Sequence, residues 1–175
     1  IDRSLVGSEM CIRDSLKDIY SSIDRIAYQI YESNFEEEII YVVGIGKKGK
    51  RLSSLIGKSL SSISNIEVQF ITLEIDKKNP LNNIKSDKPI DQLKNSSIVV
   101  VDDVLNTGCT LIYAVSYFLK VRVKSIKTAV MVNRNHKKFP IKADFKGISL
   151  STTLNEHISV ILEGPDAVSY THLTL

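Results

Sequence analysis

The chain has 175 residues, of which 43% are hydrophobic and 25% are charged, and its formal net charge is +3. These values are typical of one globular domain, and no apolar run is long enough to span a membrane. The mild positive charge permits anionic ligands but does not by itself indicate a nucleic acid. The two cysteines, Cys11 and Cys109, exclude a disulfide framework or a cysteine-rich metal cluster and favour a reduced, cytoplasmic location.

Both ends of the chain lack the periodicity of a helix or strand that packs on a core. We interpret residues 1–15 and 165–175 as non-native segments and exclude them from the fold prediction. A signal peptide is the other interpretation of the first segment, but that segment has no continuous apolar core. The remaining residues, 16–164, are predicted to form one domain.

The predicted elements alternate between helices and strands. In chain order they are a helix over 16–33, a strand over 39–43, a turn over 44–46, a helix over 49–61, a strand over 68–75, a loop over 76–95, a strand over 98–101, a helix over 111–120, a strand over 128–132, an irregular segment over 139–151 and a strand over 158–162. This alternation predicts an α/β fold with a mostly parallel sheet flanked by helices. Ligands of such sheets bind beyond the carboxyl ends of the strands, and a loop as long as 76–95 is usually functional.

The strand over 98–101 leads into the most informative segment of the chain, IVVVDDVLNTGCT. Four aliphatic residues predict a strand that is buried on both faces, and Asp102 and Asp103 follow it directly. The turn over 107–110 then opens a helix, where backbone N–H groups and the helix dipole favour a phosphate. The carboxylates can accept hydrogen bonds from two sugar hydroxyls, so the segment predicts a site for a ribose 5-phosphate. The alternative is a buried strand that ends in a solvated acidic turn.

A second segment, GIGKKGKR over 44–51, follows a predicted buried strand and opens a helix. Its glycines allow a ligand to approach the backbone closely, and they are surrounded by the cations Lys47, Lys48, Lys50 and Arg51. Cations at a helix N-terminus oppose the helix dipole, so an anionic ligand such as a diphosphate would explain them. A solvated basic helix start is the other interpretation.

The acidic segment resembles the phosphoribosyl diphosphate (PRPP) motif of the type I phosphoribosyltransferases, which has four aliphatic residues, two acids, any residue, an aliphatic, any residue and Thr-Gly-x-Thr. The resemblance implies that Asp102 and Asp103 are catalytic residues that hold the ribose hydroxyls. The 5-phosphate would be bound by Asn106, Thr107, Gly108, Cys109 and Thr110. The loop after the first core strand, usually Gly-Ile-x-x-Arg-Gly, would bind the diphosphate through Gly46, Lys47, Lys48 and Gly49. Lys48 stands in place of the usual Arg, so a point charge replaces a planar fork.

Residues 132–151, VNRNHKKFPIKADFKGISLS, narrow the resemblance to the bifunctional pyrimidine operon regulators that are also uracil phosphoribosyltransferases. The hypoxanthine-guanine enzymes are similar more weakly. In these families this segment forms a small hood over the base, which implies that Phe145 stacks on the base and that the Lys146 backbone hydrogen-bonds it. Asn133 or Arg134 would face an exocyclic oxygen. A core position is the other interpretation of Phe145.

The resemblance implies transfer of a ribosyl phosphate from PRPP to a nucleobase, with Mg²⁺ held mainly by substrate and water rather than by a protein metal site. Uracil is favoured because Asn106 occupies the place of an Asp that acts on the ring in the purine enzymes, and an amide cannot take a proton in that way. Family members often form homo-oligomers. Two other functions stay open, namely a PRPP-sensing, RNA-binding regulator with little or no catalysis and a plain interaction domain.

Overall fold

A six-stranded sheet with helices on both faces forms the centre of the computed structural model, which describes residues 16–150, 156–161 and 169–174. The helices are α1 (Leu16–Ser33), α2 (Gly46–Ile63) and α3 (Cys109–Phe118). The strands are β1 (Ile39–Ile45), β2 (Glu67–Glu74), β3 (Lys85–Ser86), β4 (Ser97–Leu105), β5 (Ser125–Asn133), β6 (Phe145–Ser149), β7 (Glu156–Ile161) and β8 (Ser169–Thr174). Within these described residues, no helix is long and apolar enough to cross a membrane.

The order of the strands determines where a ligand can bind. The sheet has the order β3-β2-β1-β4-β5-β6, and every neighbouring pair is parallel except β2 with β3. The chain moves outward from β1 to β2, returns to β4 beside β1, and then continues in the other direction. A crevice opens at such a switch point, beyond the carboxyl ends of the two central strands. The predicted α/β fold is confirmed, and the two segments singled out in the sequence contain the carboxyl ends of these two strands, β1 and β4.

The hydrophobic core has two parts, one on each face of the sheet. Residues of α1 and α2 pack on one face, and residues of α3 pack on the other. β4 contributes to both parts in alternation, since Val99 and Val101 belong to the first and Ile98 and Val100 to the second. All four side chains are at most 1% exposed. The apolar run is therefore a strand buried on both faces, as predicted for a parallel sheet covered by helices.

A second, two-stranded sheet consists of the antiparallel pair β7 and β8. β7 contacts β4, and its residue Ile158 is buried. β8 lies in the tail 165–175 that the sequence analysis set aside, and its regular structure comes from pairing with β7 rather than from a local pattern. The interpretation of this tail as non-native stays a prediction, and that of residues 1–15 lies outside the described residues.

Several element boundaries differ from the predictions, and the cause is pairing or packing between elements. No turn separates β1 from α2, because β1 continues to Ile45 and α2 begins at Gly46. β4 continues through the two acids to Leu105, where β5 still pairs with it. The segment 139–151 is not wholly irregular, because its pairing with β5 makes β6 the edge strand of the sheet.

Candidate active site

A cavity of about 320 Å³ opens at the switch point beyond β1 and β4. The start of the loop over 76–95, the end of β5 and β7 also contribute to it. The lining residues are Lys48, Lys77, Asp102, Asp103, Val104, Leu105, Asn106, Thr107, Gly108, Cys109, Thr110, Leu111, Arg134 and Ile158. The structure thus brings together the acidic pair, the whole predicted phosphate turn, one cation of the basic segment and one predicted base-binding residue.

The acidic pair is buried at the edge of this cavity. Asp102 and Asp103 are 3% and 5% exposed, and the Asp103 backbone N–H donates a hydrogen bond of 3.0 Å to the Asp102 carboxylate. Burial raises the pKa of Asp102 to about 8, while the Lys77 ammonium opposes this shift and the adjacent Asp103 adds to it. This burial excludes the alternative of a solvated acidic turn. Two adjacent acids with so little exposure are costly and are typical of a functional site.

Two ammonium groups contact the acidic pair from the cavity. The Nζ of Lys48 lies 3.6 Å from Asp103 Oδ2. The Nζ of Lys77 lies 3.8 Å from Oδ1 of Asp102 and 3.8 Å from Oδ1 of Asp103. These distances are longer than hydrogen bonds, so the contacts are between charges. The side chains of Lys48 and Lys77 are 49% and 59% exposed, so both cations are accessible to a ligand that enters from solvent.

The turn before α3 is held in place from two sides. Gly108 has φ 85°, a left-handed conformation that favours glycine, and it is the N-cap of α3. On one side, the Thr107 hydroxyl accepts a hydrogen bond from the Cys109 N–H at 3.3 Å. On the other side, the backbone N–H groups of Lys138 and Phe139 donate to the Thr107 carbonyl at 2.8 and 3.2 Å. The turn therefore presents a preformed helix N-terminus to the cavity, which suits an anion.

The basic segment lies at the start of α2, and this helix start packs directly on β4. A Cβ atom on Gly49 would lie 2.7 Å from the Val101 carbonyl oxygen, so glycine lets the start of α2 contact β4 directly. Gly46, Lys47 and Gly49 do not line the cavity, whereas Lys48 does. Of the residues predicted to bind diphosphate, Lys48 lines the cavity and Gly49 packs on β4, and their binding of diphosphate stays a prediction.

At the far end of the cavity, two neighbouring residues of β5 and its following loop have different surroundings. Arg134 is 5% exposed and lines the cavity, and its backbone N–H donates to the Leu105 carbonyl at 2.9 Å. Asn133 is 6% exposed, does not line the cavity, and accepts a hydrogen bond from the Asn135 N–H at 3.3 Å. Of the two residues predicted for an exocyclic oxygen of the base, the structure favours Arg134.

Phe145 and Lys146 lie outside the lining of the cavity, and their predicted roles at the base stay predictions. Phe145 is 7% exposed and belongs to the core beneath α1 and α2. In the register of β5 and β6 it pairs with Ala129, which belongs to the same part of the core. Lys146 is exposed, and neither residue lines the cavity. Phe145 therefore occupies the core position that the sequence analysis had left open, because β6 joins the sheet and turns this side chain toward α1.

Five lining residues were missed as site residues, namely Lys77, Val104, Leu105, Leu111 and Ile158. Val104 is the aliphatic position inside the motif itself, and Lys77 follows β2, the parallel neighbour of β1, so its place at a strand end was a usable signal. Ile158 reaches the cavity because β7 contacts β4, and no local pattern in the sequence indicates that contact. Together with Leu105 and Leu111, Val104 and Ile158 give the cavity an apolar part beside its polar one.

The described residues contain no group of three or more His, Cys, Asp or Glu side chains that could hold a metal ion. The acidic pair offers the carboxylate oxygens that Mg²⁺ prefers, but from two side chains only. The expectation that Mg²⁺ is held mainly by substrate and water stays a prediction.

Comparison of the sequence with known proteins identifies the family to which a chain with this fold belongs. The family profile of the phosphoribosyl transferase domain matches residues 13–163. The chain belongs to this family. Among similar proteins, the bifunctional protein PyrR of Fusobacterium nucleatum is 35% identical over 156 residues, covering 85% of this chain and 88% of that protein. The bifunctional protein PyrR of Leuconostoc mesenteroides is 32% identical over 168 residues, covering 86% of this chain and 92% of that protein.

Solved phosphoribosyltransferase structures show the same fold. The hypoxanthine phosphoribosyltransferase of Trypanosoma cruzi has a TM-score of 0.75 at 16% identity and covers 94% of this chain and 95% of its own. A hypoxanthine-guanine phosphoribosyltransferase of Bacillus anthracis has a TM-score of 0.70 at 18% identity and covers 93% of this chain and 97% of its own. At these identities the likeness concerns the fold alone. Together, the family profile, the PyrR relatives and this fold show that the chain is a PyrR-like type I phosphoribosyltransferase. Such an enzyme is a PRPP-dependent pentosyltransferase.

Proposed function

We propose that this phosphoribosyltransferase transfers the ribosyl 5-phosphate group of PRPP to uracil and releases diphosphate. One observation carries the proposal, namely that a buried pair of carboxylates and a preformed helix N-terminus open onto the same cavity. An anion site next to two hydrogen-bond acceptors suits the phosphate and the two ring hydroxyls of a ribose 5-phosphate. The switch point places both groups at neighbouring strand and helix ends, so one sugar phosphate can contact both.

The reacting carbon is stabilised by charge and by alignment. Positive charge develops on the ribose ring as the bond to diphosphate breaks, as in other glycosyl transfers with oxocarbenium-like transition states. Asp102 and Asp103 would accept hydrogen bonds from the ring hydroxyls and stabilise this charge. The turn over 107–110 would hold the 5-phosphate, so the ring is fixed from both of its ends.

The diphosphate group requires positive charge at the opening of the cavity. Lys48 supplies it from the first turn of α2, where it is half-exposed and lines the cavity. Mg²⁺, held mainly by substrate and water with the acidic pair as further oxygen ligands, would neutralise diphosphate when bound. Lys48 and the Mg²⁺ ion would then both neutralise the negative charge of the diphosphate leaving group.

The base is proposed to lie between Arg134 and the apolar side chains. The buried Arg134 guanidinium has several N–H donors for an exocyclic oxygen, and uracil carries two such oxygens. Val104 and Ile158 provide an apolar surface for the ring. Asn106 lines the cavity where an acid would be needed to act on a purine nitrogen, and its amide has no such capacity. These residues favour uracil over a purine.

A panel of bases tests this function directly. The protein is incubated with PRPP, Mg²⁺ and one of uracil, hypoxanthine, guanine, adenine or xanthine, and the release of diphosphate is measured. We expect release with uracil and none above background with the purines. Release with a purine alone would contradict the proposed base, and PRPP binding without release with any base would contradict the proposed transfer.

A second candidate function is a PRPP-responsive regulator that binds RNA. Lys47, Lys50 and Arg51 are exposed at the start of α2 and do not line the cavity, so the cavity does not account for these cations. A basic helix face of this kind suits a polyanion, whose binding weakens steeply with salt. Titration of a structured RNA at several salt concentrations tests it. Salt-dependent binding that Lys50→Ala weakens, with PRPP affinity unchanged, would favour this function.

A further inference from the structure

One cation of the cavity has no part in the proposed transfer. The Nζ of Lys77 lies 3.8 Å from an oxygen of each carboxylate, Asp102 and Asp103. The side chains of these acids are only 5% and 7% exposed, and both line the cavity. A ligand that approaches the acidic pair from the cavity therefore meets the Lys77 ammonium first.

Lys77 differs from the second cation, Lys48, in contacts and in support. Lys48 contacts Asp103, whereas Lys77 is within 3.8 Å of both acids. Lys48 belongs to α2, but Lys77 lies in the loop over 76–95, which contains only β3 and a short 3-10 helix. A side chain on such a loop can withdraw without moving a helix.

The turn around Lys77 is held by its neighbour in the chain. The Asp76 carboxylate accepts hydrogen bonds of 2.9 Å from the Lys78 backbone N–H and from the Asn82 side-chain amide. These bonds shape the turn and place Lys77 over the acidic pair. The Lys77 ammonium places a positive charge within 3.8 Å of an oxygen of each acid, and the Lys48 ammonium adds a second one beside Asp103.

We propose that Lys77 occupies, in the ligand-free protein, the place that the ribose hydroxyls take, so that a sugar must displace its ammonium from Asp102 and Asp103. The inference rests on the proposed function, which assigns these carboxylates to the ribose hydroxyls. An ammonium and a hydroxyl are both donors to the same carboxylate oxygens, so they compete for them. Lys77 therefore lowers the affinity for a ribose phosphate but not for a phosphate that has no sugar.

Two ligands and one substitution separate this effect from general attraction of anions. The affinities of ribose 5-phosphate and inorganic phosphate are measured by calorimetry for the wild type and for Lys77→Met. Inorganic phosphate reports any loss of general attraction, so the result is the ratio of the two affinities. We expect the ratio to shift about two- to fivefold in favour of ribose 5-phosphate, the range of a weak ion pair.

Two further variants act as controls. Lys78→Met removes the same charge from an exposed neighbour that does not line the cavity, and it should leave the ratio unchanged. Lys77→Arg keeps the charge and should keep the wild-type ratio. An unchanged or lower ratio in Lys77→Met, or an equal shift in Lys78→Met, would overturn the inference.

The same measurements distinguish the failure of the inference from that of the proposed function. If wild-type protein binds ribose 5-phosphate more tightly than phosphate and Lys77→Met does not change the ratio, the competition alone is wrong. If ribose 5-phosphate binds no more tightly than phosphate to any variant, the carboxylates do not bind the sugar, and both proposals are overturned.

Discussion

The helices α2 and α3 both begin beside the cavity, yet their first turns are built differently. α3 begins after the left-handed Gly108, has no charged residue in its first turn and presents its N-terminus to the cavity. α2 begins directly after β1, carries several cations and is pressed onto β4 at Gly49. The start of α3 presents its backbone to the cavity, whereas the start of α2 presents the Lys48 side chain. Glycines beside a phosphate site can therefore serve packing as well as a ligand.

The largest expected effect concerns the acids of β4, which we assign to the ribose ring where the bond breaks. Asp103→Asn should lower kcat at least about tenfold with an unchanged circular dichroism spectrum, because it removes charge beside the reacting ring. Asp91→Asn, at an acid that is 75% exposed and paired with Lys94, is the matched control and should keep wild-type turnover. Wild-type turnover in a variant with both Asp102 and Asp103 changed to Asn would remove the acids from the mechanism.

A smaller effect is expected at the start of α2, where a side chain rather than the backbone meets the ligand. Lys48→Ala should weaken PRPP binding about tenfold, as for a lost hydrogen bond to a charged group. It should change ribose 5-phosphate binding less than about twofold, because that ligand has no diphosphate. Lys58→Ala, further along the same helix and exposed, is the control. PRPP affinity that is unchanged by Lys48→Ala, with RNA affinity lost, would favour the regulator.

Each of the two helix starts contains a glycine with positive φ, and these glycines have different surroundings. Gly46 at the start of α2 has φ 60° with no atom within 4 Å of a Cβ, whereas a Cβ on Gly108 would lie 2.7 Å from Ile141 Cγ2. Alanine at either position should cost about 1–2 kcal/mol of unfolding free energy for the left-handed backbone. Gly108→Ala should cost about 1 kcal/mol more, because it also overpacks the turn. Urea unfolding measures both, and equal losses would mean that the Ile141 contact has no effect.

A further expected effect is on the pH dependence of stability. The pKa of Asp102 is about 8 in the folded protein against 3.8 for the unperturbed group, so the folded state binds this proton more tightly. Its contribution to the unfolding free energy is complete below pH 4 and is lost as the pH rises toward 8. The loss should stay below about 1.4 kcal/mol per pH unit. Asp102→Asn should flatten the slope between pH 5 and 8 in chemical denaturation, and an unchanged slope would contradict the buried pKa.

Elements whose pattern is local were predicted well. The helix α1 has the predicted bounds, and the run before Asp102 is buried on both faces. The phosphate turn was also predicted as a unit, and all of its residues line the cavity, although their binding of PRPP stays a prediction. In each case the residues that determine the structure are neighbours in the chain, so a short stretch of sequence contains the pattern.

Contacts that depend on a distant partner were not predicted from the sequence. The core position was left open for Phe145, and the register with β5 places this side chain there, while its contact with a base stays a prediction. The close approach of Gly49 to the Val101 carbonyl was also not predicted. Ile158 was not considered at all, because it reaches the cavity through the contact of β7 with β4.

By itself, therefore, the sequence determined the α/β class, the buried central strand and the segment that ends in two acids and a phosphate turn. Only the tertiary structure decided which cations reach those acids, which side chains line the base end and which glycines serve packing. The physical reason is the range of the interactions involved. Hydrophobic periodicity and turn chemistry act between near neighbours, whereas the strand register, the packing of α2 on β4 and the Lys77 contacts arise only when distant segments meet.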